Sequence, residues 1–510
     1  MTVALCGRRF LYSITLLLTQ LLLPALLPAI DEAFIPEIRS LVSYSVLADN
    51  DTYYSSLPNV PEPGLRHLFS KWSSLIALFP DLVKTGNPEH ALIQYSHRDS
   101  SFSYALEASI HTGWDHRWDD PGDYGLNYIG FRVNSVFNEK FRARANFWNG
   151  RFFGDQSYVQ DTPLIDGISN LSPNGDFLDN VNGELSYKDK HFKAALGRGR
   201  FQIGNSISGS VVLSDRVNDY DYLVLEQDVG DFRFSFLHGT LMADSLQTGS
   251  YGDLYPPKYL AVHQVTYQLR DWVNFFYGET AVYGNKIDFS YLLPANFWRA
   301  GKYNLRDRDN IMLYGGTNIK PSEYLTLYGM LAIDELTVRK LFSEWWGNKY
   351  ALQAGASLLL AEQQIDRNIE PRLTFEATAI RPWTYTHIAN VAMYSHDQHP
   401  LGYEKGSNLV DLSLELNLPL ADRTRLDSQI SCTWQGSEGN DWRLNYQEYF
   451  PTGIMTEEAH WLEGDITFTT RLRNTLRIGI LAHHILLLGH DSLFGSDSRH
   501  KFYAGWQVMY

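Results

Sequence analysis

The sequence predicts an all-β fold: a transmembrane antiparallel β-barrel of about 18 strands with a small N-terminal helical segment. Three observations carry this expectation. The chain ends on a strand that places Trp506, Val508 and the terminal Tyr510 on one face, as a side-chain period of two requires. From about residue 101 onward, apolar and polar residues alternate with that same period. The connections between these segments alternate between tight and long.

At the N-terminus, Arg8 and Arg9 precede an apolar run from Phe10 to Leu23, and Pro24, Ala25, Pro28 and Ala29 follow. A charged start, a short apolar core and small residues predict a secretory signal over residues 1–29, with an N-terminal membrane anchor as the alternative. Cys6 lies ahead of the apolar run, so it is not read as a lipidation cysteine. Beyond the signal only Cys432 remains, which excludes an intrachain disulfide.

Residues 30–100 read as a helical segment at the periplasmic side or in the lumen. Leu65, Leu68, Phe69, Trp72, Leu75, Ile76 and Phe79 recur at helical spacing between Pro63 and Gly86. Phe34, Ile35, Ile38, Leu41 and Val42 suggest a second, weaker helix.

Residues 101–510 read as the barrel. Ile129, Phe131, Val133 and Phe137 alternate with Gly130, Arg132 and Asn134. Phe141, Ala143, Ala145 and Phe147 alternate with Arg142, Arg144 and Asn146. One face suits lipid; the other carries arginines that lipid rejects. No segment after the signal holds the ~18 to 20 apolar residues of a spanning helix.

A soluble sandwich would show turns of similar length at both ends. Here tight connections fall near 138–140, 188–191, 228–231, 269–271, 320–322, 362–369, 419–421 and 473–475. Long ones fall near 113–123, 151–181, 199–219, 240–258, 284–308, 334–347, 383–407, 436–460 and 488–499. Eight tight and nine long connections make eighteen strands. The even count puts both barrel ends in the periplasm and lets the last strand close on the first, near Phe102. Leu92 to Tyr95 is placed outside the wall, because a nineteenth strand would break that parity.

The net charge of −15 becomes −17 without Arg8 and Arg9, which argues against a nucleic-acid partner. The expected setting is the outer membrane of a Gram-negative bacterium, with outer-membrane lipid and the barrel-assembly machinery as partners and a monomer as the functional state.

Two long loops hold the densest polar clusters. The first runs from Gly197 to Gly204 and on through Asp215 to Tyr222; the second runs from Tyr277 through Tyr291, Phe297, Trp298 and Arg299 to Asn310. Within them are a Gly-Arg-x-Arg strand end at Gly197–Arg200 and a Gly-Ser-x-x-Leu-Ser-Asp loop at Gly209–Asp215. There follow Tyr-Leu-x-Pro-x-x-Phe at Tyr291–Phe297, Arg-Asp-x-Asp-Asn at Arg306–Asn310 and Tyr-Gly-x-x-x-x-Asp at Tyr328–Asp334.

On these pieces the chain resembles the capsule-assembly family of outer-membrane barrels known as Wzi, over about residues 190–340. It departs at Leu293, where the family pattern has Asn. The resemblance implies an eighteen-stranded barrel with a small helical bundle at its periplasmic side. It also implies a lectin-like role, holding capsular or exopolysaccharide at the cell surface.

Sugars present apolar C–H faces flanked by hydroxyls, so aromatic platforms beside Arg, Asp and Asn suit them; fixed arginines also suit an acidic polymer. The candidate polysaccharide-binding residues are Arg198, Arg200, Asp215, Tyr291, Trp298, Arg299, Arg306, Asp307, Arg308 and Asn310. The competing reading makes Arg198, Arg200, Glu279 and Asp334 a lumenal ion-pair network that supports the wall.

No cofactor or metal is expected. His396 and His399 lack a further ligand and read as a surface loop, and Asp166, Asn174, Asp176 and Asp179 lack EF-hand spacing. No nucleophile-elbow motif occurs, though a triad assembled in space would leave no such mark; the binding reading expects no enzyme. The alternatives are a diffusion porin and an outer-membrane enzyme using Asp307 or Asp309.

Overall fold

The computed structural model describes residues 43–44, 93–98, 103–118, 124–138, 140–154, 177–243, 247–249, 252–254, 256–301, 308–340, 343–360, 371–421, 424–444, 457–481, 484–495 and 498–509. The signal, the expected helices over 34–42 and 65–79 and the tight turn at 362–369 fall outside them, as do Arg306 and Asp307. One sheet of 20 strands dominates. Two of these are short, Ser43–Tyr44 and Ile93–Arg98; the other eighteen form the wall.

In chain order the wall strands are β1 Ser103–Trp118, β2 Tyr124–Phe137, β3 Phe141–Gly154, β4 Phe177–Lys188, β5 Phe192–Phe201 and β6 Tyr220–Val229. Next come β7 Phe232–Leu241, β8 Lys258–Arg270, β9 Val273–Gly284, β10 Asn310–Ser322, β11 Leu325–Glu335 and β12 Lys349–Leu359. The last six are β13 Arg372–Ile380, β14 Leu409–Ala421, β15 Thr424–Gly436, β16 Ile466–Leu481, β17 His484–Phe494 and β18 Arg499–Met509. Each pairs antiparallel with the next, and β18 pairs with β1, Phe502 opposite Trp118 through Met509 opposite His111. The terminal strand thus meets the partner that the parity argument assigns to it.

The wall is apolar outside and polar inside. On β2, Ile129 and Phe131 are exposed while Arg132 is buried; on β13, Phe375 is exposed and Glu376 buried. Large apolar side chains left open on the outer face are what a lipid-facing band requires. No helix among the described residues is long and apolar enough to cross a membrane.

The inner face repeats one device four times. A tyrosine lies across a glycine on the neighbouring strand and reaches a polar side chain on the strand beyond. Tyr328 (β11) faces Gly355 (β12), which faces Glu376 (β13), and the hydroxyl donates to Glu376 Oε2 at 2.7 Å. Tyr222, Gly197 and Glu184 repeat it at 2.8 Å, and Tyr314, Gly278 and Gln264 at 3.2 Å. Tyr503, Gly489 and Thr475 form the fourth row. A Cβ at Gly355 would stand 2.2 Å from the Tyr328 ring, so the ring needs the glycine beneath it.

Four expectations about the wall need correction. The turn expected at 473–475 lies inside β16, because Arg471 and Arg473 point inward and pair with Asp491 of β17 at 2.6 and 3.3 Å. Inward polar residues imitated a turn; the strand runs on to Leu481, and the next begins at His484. The long loops expected at 113–123 and 488–499 shrink to 119–123 and 495–498, since the strands extend further. Ile93–Arg98 is not outside the sheet: it pairs with Ser103–Ala108, along the edge of β1 whose other half carries β18. Parity survives because the two share one edge. Finally, Arg198 and Glu279 are not lumenal. Arg198 shares its face with exposed Leu196 and pairs with Asp221 at 2.9 Å, and Glu279 shares its face with exposed Tyr277.

Two long connections fold into the lumen. In loop 202–219, Ile203, Val211, Val212, Leu213 and Val217 are fully buried, each worth about 1.5–3 kcal/mol relative to exposure. They pack on inward residues such as Phe201, Val262, Met312 and Met330. Ser206 Oγ, Ile207 N and Ser208 N donate to the Glu376 carboxylate at 3.0, 3.1 and 3.1 Å.

Loop 381–408 locks this plug from above. Tyr385 and Tyr394 donate to the carbonyls of Val211 and Val212 at 2.8 and 2.9 Å, and Ser214 N donates to Leu401 O at 2.7 Å. Tyr403 donates to Asp411 of β14, which also holds Lys405 at 2.9 Å.

Candidate functional site

The long-loop rim offers an exposed polar surface above the plug. Three loops meet there around Arg381. Its guanidinium is buried and donates to Asn348 O at 3.2 Å and Ala459 O at 2.8 Å. Trp345 bridges Glu458, and Ala459 N donates to Glu344 O at 2.7 Å. Trp345, Trp346, Trp383 and Ala459 form the apolar base.

On this base Trp461 lies 39% exposed, its ring 5.5 Å from the Arg381 guanidinium and edge-on to Tyr350 at 5.9 Å. Exposed Glu344 and His460 flank it, 2.7 Å apart. The hydrogen bond and charge of Glu344 raise the His460 pKa, whereas burial lowers that of Arg381. A part-exposed indole can stack on a sugar ring, and the carboxylate that pairs with the neighbouring His460 can accept from the sugar's hydroxyls. Among the described residues, Glu344, Glu458 and His460 are also the one group whose ligating atoms, all within 4.8 Å of one another, could hold a metal ion.

The sequence-derived candidates occupy other places. Tyr291 is buried and donates to Asp309 at 2.8 Å. Trp298 is buried and stacked on His263 at 4.1 Å. Arg299 donates to Ile311 O and Asp334 O, both at 2.8 Å. Arg308 pairs with Asp288 at 2.7 Å and Asp309 at 3.3 Å, and Asn310 is a buried first residue of β10 opposite Val282. These five belong to loop 285–309 and its junction with the wall, so they are brought together, but their aromatic members face the protein. Arg198 stays with Asp221 on the outer face, Arg200 donates to Val217 O at 3.0 Å, and Asp215 sits half-buried on the plug loop.

Sequence reasoning missed Trp461, Arg381, Glu344 and His460. The visible signal was tryptophan density in two loops, Trp345 and Trp346 in one and Trp461 in the other.

His396 also departs from expectation: it is buried in a two-residue hairpin, not on a surface loop. Its Nδ1 accepts from Met242 N at 2.9 Å, and His399 Nδ1 meets Asp397 O at 2.8 Å. Burial pushes the His396 pKa down to about 4 from 6.5. Between those values the unfolded chain binds more protons, so stability is full above the ordinary histidine value and falls as the pH drops toward 4. The loss approaches about 3 kcal/mol. Denaturant midpoints measured from pH 7 to pH 4 should fall less steeply for His396→Gln than for the parent chain; parallel slopes would exclude this role.

No family profile and no curated protein sequence matches the chain. Among solved structures it is similar to Wzi, an outer-membrane protein involved in group 1 capsule assembly in Escherichia coli and described as a carbohydrate-binding β-barrel. The TM-score is 0.51 at 11% identity, over 78% of this chain and 84% of that one. Pseudomonas aeruginosa OccK5 (OpdH) gives 0.44 at 8% identity, over 80% and 97%. OccD1 (OprD) gives 0.43 at 10%, over 79% and 95%. The wall topology and the likeness to Wzi give the chain the fold of the outer-membrane β-barrels.

Proposed function

We propose that the chain is a non-enzymatic, monomeric barrel of the Gram-negative outer membrane that binds or anchors capsular or exopolysaccharide at the cell surface. The observation that carries this reading is that loops 202–219 and 381–408 fold into the lumen and are hydrogen-bonded to the wall and to each other. A lumen obstructed in this way suits a surface anchor better than a wide diffusion path. The carbohydrate-binding description of Wzi lends support to the ligand class. The exposed Trp461 platform supplies a place for it, and the outward direction is that of the long loops.

The test pairs planar-bilayer conductance with retention of acidic and neutral exopolysaccharides by the refolded protein. The parent should retain a polysaccharide and stay electrically quiet. Trp461→Ala should weaken retention by about 2 kcal/mol, roughly 30-fold in Kd, with the barrel still folded. Steady conductance without any retained glycan would favour a diffusion porin and end the proposal.

A further inference from the structure

We propose that segment 285–301 is a flap seated in the outer leaflet, where it widens the barrel's lipid contact; this rests on the reading of the barrel as membrane-spanning. The flap folds back over the outside of the wall. Trp298 and Tyr291 pack on outward-facing Phe236, Ala261, Ala281 and Ile311. Glu279, outward and fully buried beneath it, accepts from Trp298 N at 2.6 Å and meets His263 Nε2 at 3.2 Å. His263 Nδ1 meets Pro294 O at 2.7 Å, clamping the flap from the wall. Glu279 lies five residues along β9 from its end at Gly284, so the covered stretch is roughly 17 Å at ~3.4 Å per residue.

The flap turns four large apolar side chains away from the wall, beside exposed Asn285, Lys286 and Asn296. Phe289 is 79% exposed, Leu293 60%, Phe297 53% and Ile287 49%. A water-facing loop of this length would not open four large apolar side chains together. Tyr277 and Phe275, both exposed, continue the same outer face of β9 directly below Glu279. The apolar surface of the flap therefore prolongs the lipid-facing band of the strands, and acyl chains are the occupant that covers both. Apolar side chains at a membrane boundary gain by insertion there.

The test uses nitroxide labels in liposomes of phosphatidylethanolamine and phosphatidylglycerol, with Cys6 and Cys432 replaced by Ala. Labels at Phe289→Cys and Leu293→Cys should collide more with oxygen than with an aqueous nickel chelate, as should Leu196→Cys on the wall. Arg443→Cys, on an exposed long loop, should show the inverse ratio. If the Leu196 label is lipid-like while both flap labels behave like Arg443→Cys, the flap proposal is overturned. If the Leu196 label itself is aqueous, the membrane-spanning reading has failed first. Dipolar broadening between flap labels would identify a second copy as the occupant and overturn the lipid assignment.

Discussion

Glu376→Ala is expected to unseal the lumen. The carboxylate accepts from Ser206 Oγ, Ile207 N, Ser208 N and the Tyr328 hydroxyl, all at 2.7–3.1 Å. Truncation strands these donors in a buried place, at about 1–3 kcal/mol for each left unpaired. A total on the order of 5 kcal/mol falls on the plug loop, because the backbone of Glu376 keeps its pairing with Gly355 and Ser413. The barrel should stay folded while loop 202–219 loosens. Planar bilayers should then show long-lived conductance steps that the parent lacks, with faster proteolysis within 202–219. Glu376→Gln should lie between the two, since one oxygen still accepts but an amide N–H now faces donors. A silent Glu376→Ala variant with unchanged proteolysis would show that the apolar contacts of Val211 to Leu213 seal the lumen without the tether.

The wall was legible because its physics is local. Period two, an apolar outside and arginines inside are properties of consecutive residues, and β2 and β3 carry all three openly. Reading failed where the decisive partner is distant. Arg471, Arg473 and Asn474 look like a turn until Asp491 is seen on the next strand. Loop 202–219 was recognised as long, yet the inward fold of Ile203 and Val211 to Leu213 depends on a tether from Glu376, more than 160 residues away.

The candidate site was misread for a related reason. Aromatics among Arg and Asp suggested a sugar platform, but a loop that folds back on a wall needs apolar residues to hold it down. Tyr291 and Trp298 serve that need, and their polar neighbours satisfy each other: Arg308 with Asp288 and Asp309, Arg299 with two carbonyls. Trp461 gave no comparable signal, since its setting is assembled from three loops and a buried Arg381 that no local spacing reveals.

Trp298→Ala is accordingly expected to release the flap and to leave polysaccharide retention unchanged. The indole stacks on His263 and donates from Nε1 to Leu293 O at 3.3 Å, while its backbone N–H serves Glu279. Removing a fully buried Trp costs about 3–5 kcal/mol. Here the loss falls on one loop and not on the strand ladder. Water reaching the Glu279 carboxylate completes the detachment, because a solvated carboxylate no longer needs the flap's N–H groups. Hydrogen exchange over 289–301 should accelerate by two or more orders of magnitude, at ~1.4 kcal/mol per decade, while the strands keep their protection. Trp298→Phe should retain the stacking on His263 and most of that protection. If Trp298→Ala instead abolishes polysaccharide retention with flap exchange unaltered, the indole contacts sugar directly and the flap does not depend on it.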